Sequence, residues 1–302
     1  MFKRTLSAIA VGAALAAGSF SPANAGVILS NGYKIAFSGY TVGATYNSSC
    51  NSVADCNAKT ATPAAGTAHD VAGIIFIESI KDSSDNLLYL QGTSADFQYT
   101  DPVTSAIVNV STGAYLTGIF SGLDDYSVLV NPATTTASAQ GGSFSLFSNN
   151  TNYNSSLGPN GAGVNLDALI YPTISGGSLF LSGNFAPGVL ASDVNATYNT
   201  TFNNNGTSGG GQGYLDYTAG AAFSVFNNDK TANNIGGFND GFLDVTYNDQ
   251  GQDASSKGWL AKATGSITGE SQNVPEPGSL ALMSIALLGW GISTSRRRNK
   301  NK

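Results

Sequence analysis

Few residue types in this chain can do chemistry, and their spacing narrows them further. The single imidazole, His69, stands beside Asp70. A hydrolase triad needs a histidine between a nucleophilic hydroxyl and an orienting acid, and this pair reads instead as a loop histidine just before a strand. Carboxylates are paired at Asp82 and Asp85, Asp124 and Asp125, and Asp240 and Asp244, while Glu78 and Glu270 are the only glutamates between residues 26 and 273. Glycosidic cleavage needs two carboxyls facing one sugar across about 5–10 Å, which linear spacing does not specify. These acids read as solvated loop residues, and no catalytic residue is assigned. The stretch from Asn239 to Asp253 is rich in oxygen ligands. It lacks the spacing and terminal glutamate of an EF-hand, so calcium held by Asp240, Asp244, Asp249 and Asp253 is a candidate only, and no other metal or cofactor is expected. Gly209-Gly210-Gly211-Gln212-Gly213 lacks the Lys-Ser/Thr of a phosphate loop, and Gly206 to Gly213 reads as a flexible turn. Tyr46, Tyr153 and Tyr214 are candidates for stacking on sugar rings, against the default of a buried or half-buried tyrosine.

Cys50 and Cys56 are the only cysteines, with five residues between them in a Ser/Asn-rich stretch. Two thiols are too few for a structural zinc site. In an oxidising compartment a close isolated pair reads as a local disulfide stapling a loop tip. Charge depends on which part of the chain is counted. Residues 26–273 hold six bases and 18 acids, a net of −12, against −6 for the whole. An acidic surface argues against nucleic acid, whose phosphates need Lys and Arg, and against other polyanions, while suiting solubility and divalent-cation contact.

Positioning of these residues falls to strands. Gly, Asn and Thr are abundant and are poor helix formers, so long helices are not expected. Tyr33-Lys34-Ile35-Ala36-Phe37 alternates apolar and polar, and Val71 to Ile80 is the most apolar internal run. Leu87 to Leu90, Ala95 to Tyr99, Ala106 to Val110, Ala114 to Phe120, Tyr126 to Val130, Ser143 to Phe147, Leu166 to Tyr171 and Ser178 to Phe185 follow, split by turn formers. Val194 to Asn203 has a period of two. Tyr217, Ala219, Ala221, Phe223 and Val225 form another alternating face, as do Leu243, Val245 and Tyr247; Trp259, Ala261, Ala263 and Ile267 close the series. Many short strands at close spacing predict a mainly β fold, an antiparallel β-sandwich or jelly-roll-like domain. No fixed-period repeat is visible, which disfavours a solenoid or propeller.

The two ends carry the clearest signals. Met1-Phe2-Lys3-Arg4 is basic, Leu6 to Ala17 is apolar, and Ala23-Asn24-Ala25 supplies the small residues a signal peptidase needs. This predicts a signal peptide over 1–25, with the Sec translocon and signal peptidase as partners and a mature start at Gly26. At the other end stand Val274-Pro275-Glu276-Pro277, an uncharged apolar run from Gly278 to Thr294, and a basic stop at Arg296, Arg297 and Arg298 with Lys300 and Lys302. As a helix, the run rises about 25 Å, at the short end of what spans a bilayer core of about 30 Å. The basic cluster favours the cytoplasmic side. The organisation predicted is therefore a β-rich exported domain over 26–272 and a tail over 273–302, with a transmembrane helix over 278–295.

That tail resembles the PEP-CTERM sorting signal of Gram-negative bacteria, a likeness confined to about the last 29 residues. The resemblance implies recognition by a membrane-embedded exosortase with a cysteine nucleophile and processing near Pro275-Glu276-Pro277. It also implies a transient inner-membrane intermediate before release to the cell surface or extracellular matrix. Such proteins are linked to exopolysaccharide, biofilm and flocs. The expected function is thus a non-enzymatic surface or matrix protein, structural in biofilm or floc formation. The alternatives are an exopolysaccharide-binding adhesin or module and, last, a secreted hydrolase.

Overall fold

A computed structural model describes residues 27–28, 32–62, 70–100, 106–154, 157–159, 166, 169–203, 208–248 and 256–270. In chain order the strands are β1 (Val27–Ile28), β2 (Tyr33–Gly43), β3 (Thr45–Tyr46), β4 (Thr60–Thr62), β5 (Val71–Asp82), β6 (Leu87–Leu90), β7 (Asp96–Thr100), β8 (Ile107–Ser111) and β9 (Tyr115–Val130). They continue as β10 (Thr134–Asn149), β11 (Ser178–Ala186), β12 (Tyr198–Asn203), β13 (Ser208–Ala219), β14 (Thr231–Ala232), β15 (Phe238–Asn239), β16 (Gly241–Asn248) and β17 (Ala261–Gly269). The described helices are short: α1 (Val53–Lys59) and α2 (Phe223–Phe226).

The main sheet closes on itself. β2 pairs β5, β5 pairs β9, β9 pairs β10, β10 pairs β11 and β12, both of these pair β13, and β13–β16–β17 returns to β2. Every one of these pairings is antiparallel, so the chain meanders round a barrel. β11 and β12 act as one interrupted stave. β11 pairs the second half of β10, β12 pairs the first half, and residues 187–197 leave the wall between them. The expected pair of packed sheets is thus corrected to one closed sheet. Closure removes the unpaired edges that a sandwich must protect.

Strand alternation sets what fills the barrel. Ile35 and Phe37 of β2, Ile75 and Ile77 of β5, Phe144 and Leu146 of β10, and Leu243, Val245 and Tyr247 of β16 are buried in one core. The apolar run of β5 has a second reason. Ala72, Ile74 and Phe76 point outward into a separate core, under Leu166, Tyr171, Ile174 and Trp259. A strand buried on both faces reads as continuously apolar, which is why this segment stood out in the sequence.

Several expected elements are redrawn. Gly209 to Gly213 belongs to β13 and is not a turn. A Cβ on Gly209 would run into the Thr201 carbonyl, and one on Gly211 into the Tyr198 ring, so the glycines admit the close approach of β12. Phe223 and Val225 sit on α2, because Gly220, at φ +115°, ends β13 before them. Val194 lies outside β12 and is exposed. Of the described residues from Leu166 to Tyr171, Leu166 and Leu169 lie in turns and Ile170 makes a single β-bridge, so the expected strand is absent among them. Tyr115 to Val130 is one strand where two were expected.

One end of the barrel is plugged. Phe226 of α2 packs its ring 4.9 Å from Tyr33, 5.9 Å from Phe97 and 6.1 Å from Phe180. Leu88, Tyr89, Phe97 and Val110 from β6, β7 and β8 complete this seal. The opposite end is where β2 and β12 finish and β5 and β17 begin, and among the described residues it holds a cavity in place of such a plug.

Candidate functional site at the barrel mouth

The open end holds a cavity of ≈ 100 Å³ lined by Thr41, Tyr46, Asp125, Thr135, Thr200 and Tyr247, among others. A second cavity of ≈ 40 Å³ lies within the apolar barrel core. Thr41 and Tyr247 line both, so the small inner space adjoins the outer one. Barrel mouths are recurrent ligand sites because a closed sheet fixes the wall while side chains tune the interior.

Three elements converge on the carboxylate in this wall. Asp125 lies on β9 beside a bulge, where Tyr126 is left without a partner between Ser138 and Ala139 of β10. Bulges at barrel rims re-aim side chains. The Tyr46 hydroxyl on β3 donates to Asp125 Oδ2 at 2.7 Å. The Asp125 backbone N–H donates to Asp70 Oδ2 at 2.8 Å, tying the start of β5 to the same place. Asp70 and Asp125 are 7 % and 5 % exposed. Burial pushes the Asp125 carboxyl up to about 7; the Tyr46 hydroxyl opposes this, and the charges of Asp70 and Asp124 add to it. Burial, reinforced by Asp125, drives the Tyr46 phenol well above its ordinary value. A carboxyl near 7 beside an open cavity is a marker of function.

The disulfide holds Tyr46 over this carboxylate. Cys50 and Cys56 are joined, with Cα atoms 5.0 Å apart. Ser52 caps α1 by accepting the Asp55 N–H at 3.2 Å, and Lys59 pairs with Asp55 at 3.0 Å. Cys50 exchanges two backbone hydrogen bonds with Val128 of β9, at 2.9 and 3.0 Å. The linked loop therefore docks against β9 and β10 at the mouth, beside Val128 and Ala137, with Tyr46 packed against it. It is more than the stapled loop tip expected from spacing.

The other sequence candidates scatter. Asp82 accepts Ser84 N–H at 2.8 Å and Asn86 N–H at 2.9 Å, closing the β5–β6 hairpin, and Asp85 lies 3.7 Å from Lys81. Asp240 and Asp244 do not share a setting. Asp240 is buried and accepts the backbone N–H groups of Tyr217 at 2.7 Å, Asn228 at 2.6 Å and Asp229 at 2.9 Å. Asp244 is exposed and takes the Gln212 amide at 3.3 Å. The acids that do gather with Asp240 are Asp216 and Asp229, with carboxylate oxygens within 4.8 Å of one another. Backbone donors already account for Asp240, and Asn239 donates to Asp216 at 2.9 Å. Tyr153 stacks on Phe76 at 4.1 Å and Tyr214 is buried against Phe242 at 5.2 Å, so these rings are spent on packing rather than offered to sugars. Ser208, which was not among those candidates, stands at the centre of a Gly-x-Ser-x-Gly spacing, but it opens β13 and not a strand-to-helix elbow. Reasoning from sequence had Asp70, Asp125 and Tyr46 each in view, but in three separate roles.

His69, Asp249, Asp253, the peptidase residues Ala23, Ala25 and Gly26, and the whole tail with Val274, Pro275, Glu276, Pro277, Arg296, Arg297 and Arg298 lie outside the described residues. So does the expected span over 278–295; among the described residues no helix is long and apolar enough to cross a membrane. A family model for the PEP-CTERM protein-sorting motif matches residues 273–298. No curated protein and no solved structure matches the chain. The motif implies export, membrane-associated sorting and processing by an exosortase. The chain therefore carries, after the barrel in sequence, a PEP-CTERM protein-sorting motif.

Proposed function

We propose that this is a non-enzymatic cell-surface or matrix protein, delivered by an exosortase-type system and structural in biofilm or floc formation. The sorting-motif match at 273–298 carries the reading. Three features support it: a main sheet that closes on itself, a linked cysteine pair suited to an oxidising exterior, and acids rather than bases on the exported part. The basic tail waits on the cytoplasmic side while residues 26–272 fold outside. Cleavage near Pro275-Glu276-Pro277 then frees the barrel to join the matrix. The test removes the gene and, separately, the tail from residue 273 onward, and scores protein location and cell aggregation. Loss of aggregation in both strains, with the tailless protein mislocated, is the expected result. Undiminished aggregation without the gene would remove the matrix role. The rival, an exopolysaccharide-binding adhesin, predicts glycan-array binding by the exported protein.

A further inference from the structure

We propose that the barrel mouth binds a small organic amine, its ammonium group against Asp125 and its apolar body directed into the barrel core. This site is separate from the structural role above and from the tail.

Four observations lead there. The first is size. A mouth of ≈ 100 Å³, with ≈ 40 Å³ adjoining it, is of the order of the engineered cavity of about 150 Å³ that holds benzene. It is far below the roughly 300–1,000 Å³ of sites for drug-sized ligands. A single ring or short chain fits, and a saccharide chain does not. The second is the lining of the inner part, where Phe37, Phe120, Phe144 and Phe185 leave a hydrocarbon body as the matching surface. The third is the head of the site. Asp125 is buried in the wall and bonded by one side-chain donor, the Tyr46 hydroxyl. No Lys or Arg lines the mouth among the described residues. A buried carboxylate without a cation is costly, and a ligand ammonium would supply one through a charge-assisted hydrogen bond. The fourth is long-range. Six bases against 18 acids in residues 26–273 favour cations over carboxylates around the exported part, and Asp70 and Asp124 add their charges beside Asp125 itself.

The amine also settles the ionisation of the site. The groups facing Asp125 are Tyr46 from β3, Asp70 from the start of β5, Asp124 from β9 and Tyr247 from β16. The carboxylate is free to pair with an ammonium above about pH 7 and is neutral below it. Affinity for the amine therefore falls with acidity while affinity for a neutral analogue does not.

The test compares three ligands with the same body and different heads: benzylamine, benzyl alcohol and benzoate. Each is titrated into the purified full chain by calorimetry and by protein NMR at about pH 8 and about pH 5. Benzylamine is expected to bind about tenfold more tightly than the alcohol at the higher pH, the worth of one charge-assisted bond. Benzoate is expected not to bind, and the preference should shrink at the lower pH. Asp125→Asn should erase the preference while leaving residual binding of both neutral and charged rings. Thr135→Trp, a partly exposed lip substitution that spares the core, should block all binding without lowering the melting temperature. Equal binding of amine and alcohol by the native protein would overturn the proposal. So would no binding at millimolar amine, or an amine preference that survives either substitution.

Discussion

The two ends of the barrel treat a buried carboxylate in opposite ways. At the plugged end Asp240 is 1 % exposed and surrounded by donors, with three backbone N–H groups at 2.6–2.9 Å. Its neighbour Tyr217 bonds the Tyr33 hydroxyl at 2.6 Å, and aromatic rings fill the remaining space. At the open end Asp125 is equally inaccessible but has one phenol for a side-chain partner and a cavity beside it. The first acid organises a fold, since it gathers α2, β13 and the turn at 227–229. The second gathers nothing that a neutral group would not also hold. Burial pushes both carboxyls up, but at Asp240 three backbone donors oppose it, whereas at Asp125 the one opposing donor is a phenol and the group is carried to about 7.

Substitutions at the two ends should differ accordingly. Phe226→Ala in the plug opens a cavity among Tyr33, Phe97, Phe180 and Tyr217. It should cost about 3–5 kcal/mol by denaturant unfolding. Phe202→Ala at the mouth, where the ring is only half buried against Tyr247, should cost well under half as much; similar costs at both ends would erase the distinction.

Next in size are the two acids. Asp240→Asn exchanges a charged acceptor of three backbone donors for an amide, with an expected loss of about 2–3 kcal/mol. Asp125→Asn should move the other way. Its folded carboxyl lies near 7 against 3.8 when free, so the unfolded chain ionises first as pH rises. Stability then drops between about pH 4 and pH 7 and stays lower above. The rise from 3.8 to about 7 corresponds to roughly 4 kcal/mol as an upper bound. Asp125→Asn should therefore raise the melting temperature at about pH 8 and leave it unchanged near pH 4. A native melting temperature that climbs through this window would show that the carboxylate is satisfied after all.

Smaller again is the linked loop. Replacing Cys50 and Cys56 by Ser should cost about 2 kcal/mol, since the ring closed is short. Because Tyr46 rides on that loop, the change should disturb amide signals of β9 around Asp125 and not those around Asp240. An equal disturbance at both ends would mean that the loop acts on the whole barrel.

What could be read without coordinates follows from the range of each interaction. Leu243, Val245 and Tyr247 announced their strand because burial on one face of a sheet repeats every second residue, and Leu87 to Leu90 was placed to the residue. The tail was legible because its parts are contiguous. Barrel closure was not, because it depends on β9 meeting both β5 and β10, a register that no local pattern encodes. The mouth was hidden for the same reason: Tyr46 and Asp125 are 79 residues apart, and Asp70 and Asp125 are 55 apart. Phe223 and Val225 kept the alternation of the strand before them, yet Gly220 had already turned the chain.

The most direct measurement is a pH titration of the aspartate carboxyl carbons by NMR, run with and without benzylamine. The Asp125 signal should titrate near 7 in the free protein, and its midpoint should fall when the amine is present, with Asp240 unmoved by the ligand. An Asp125 midpoint near 4, or one that ignores the amine, would contradict the contrast drawn between the two ends.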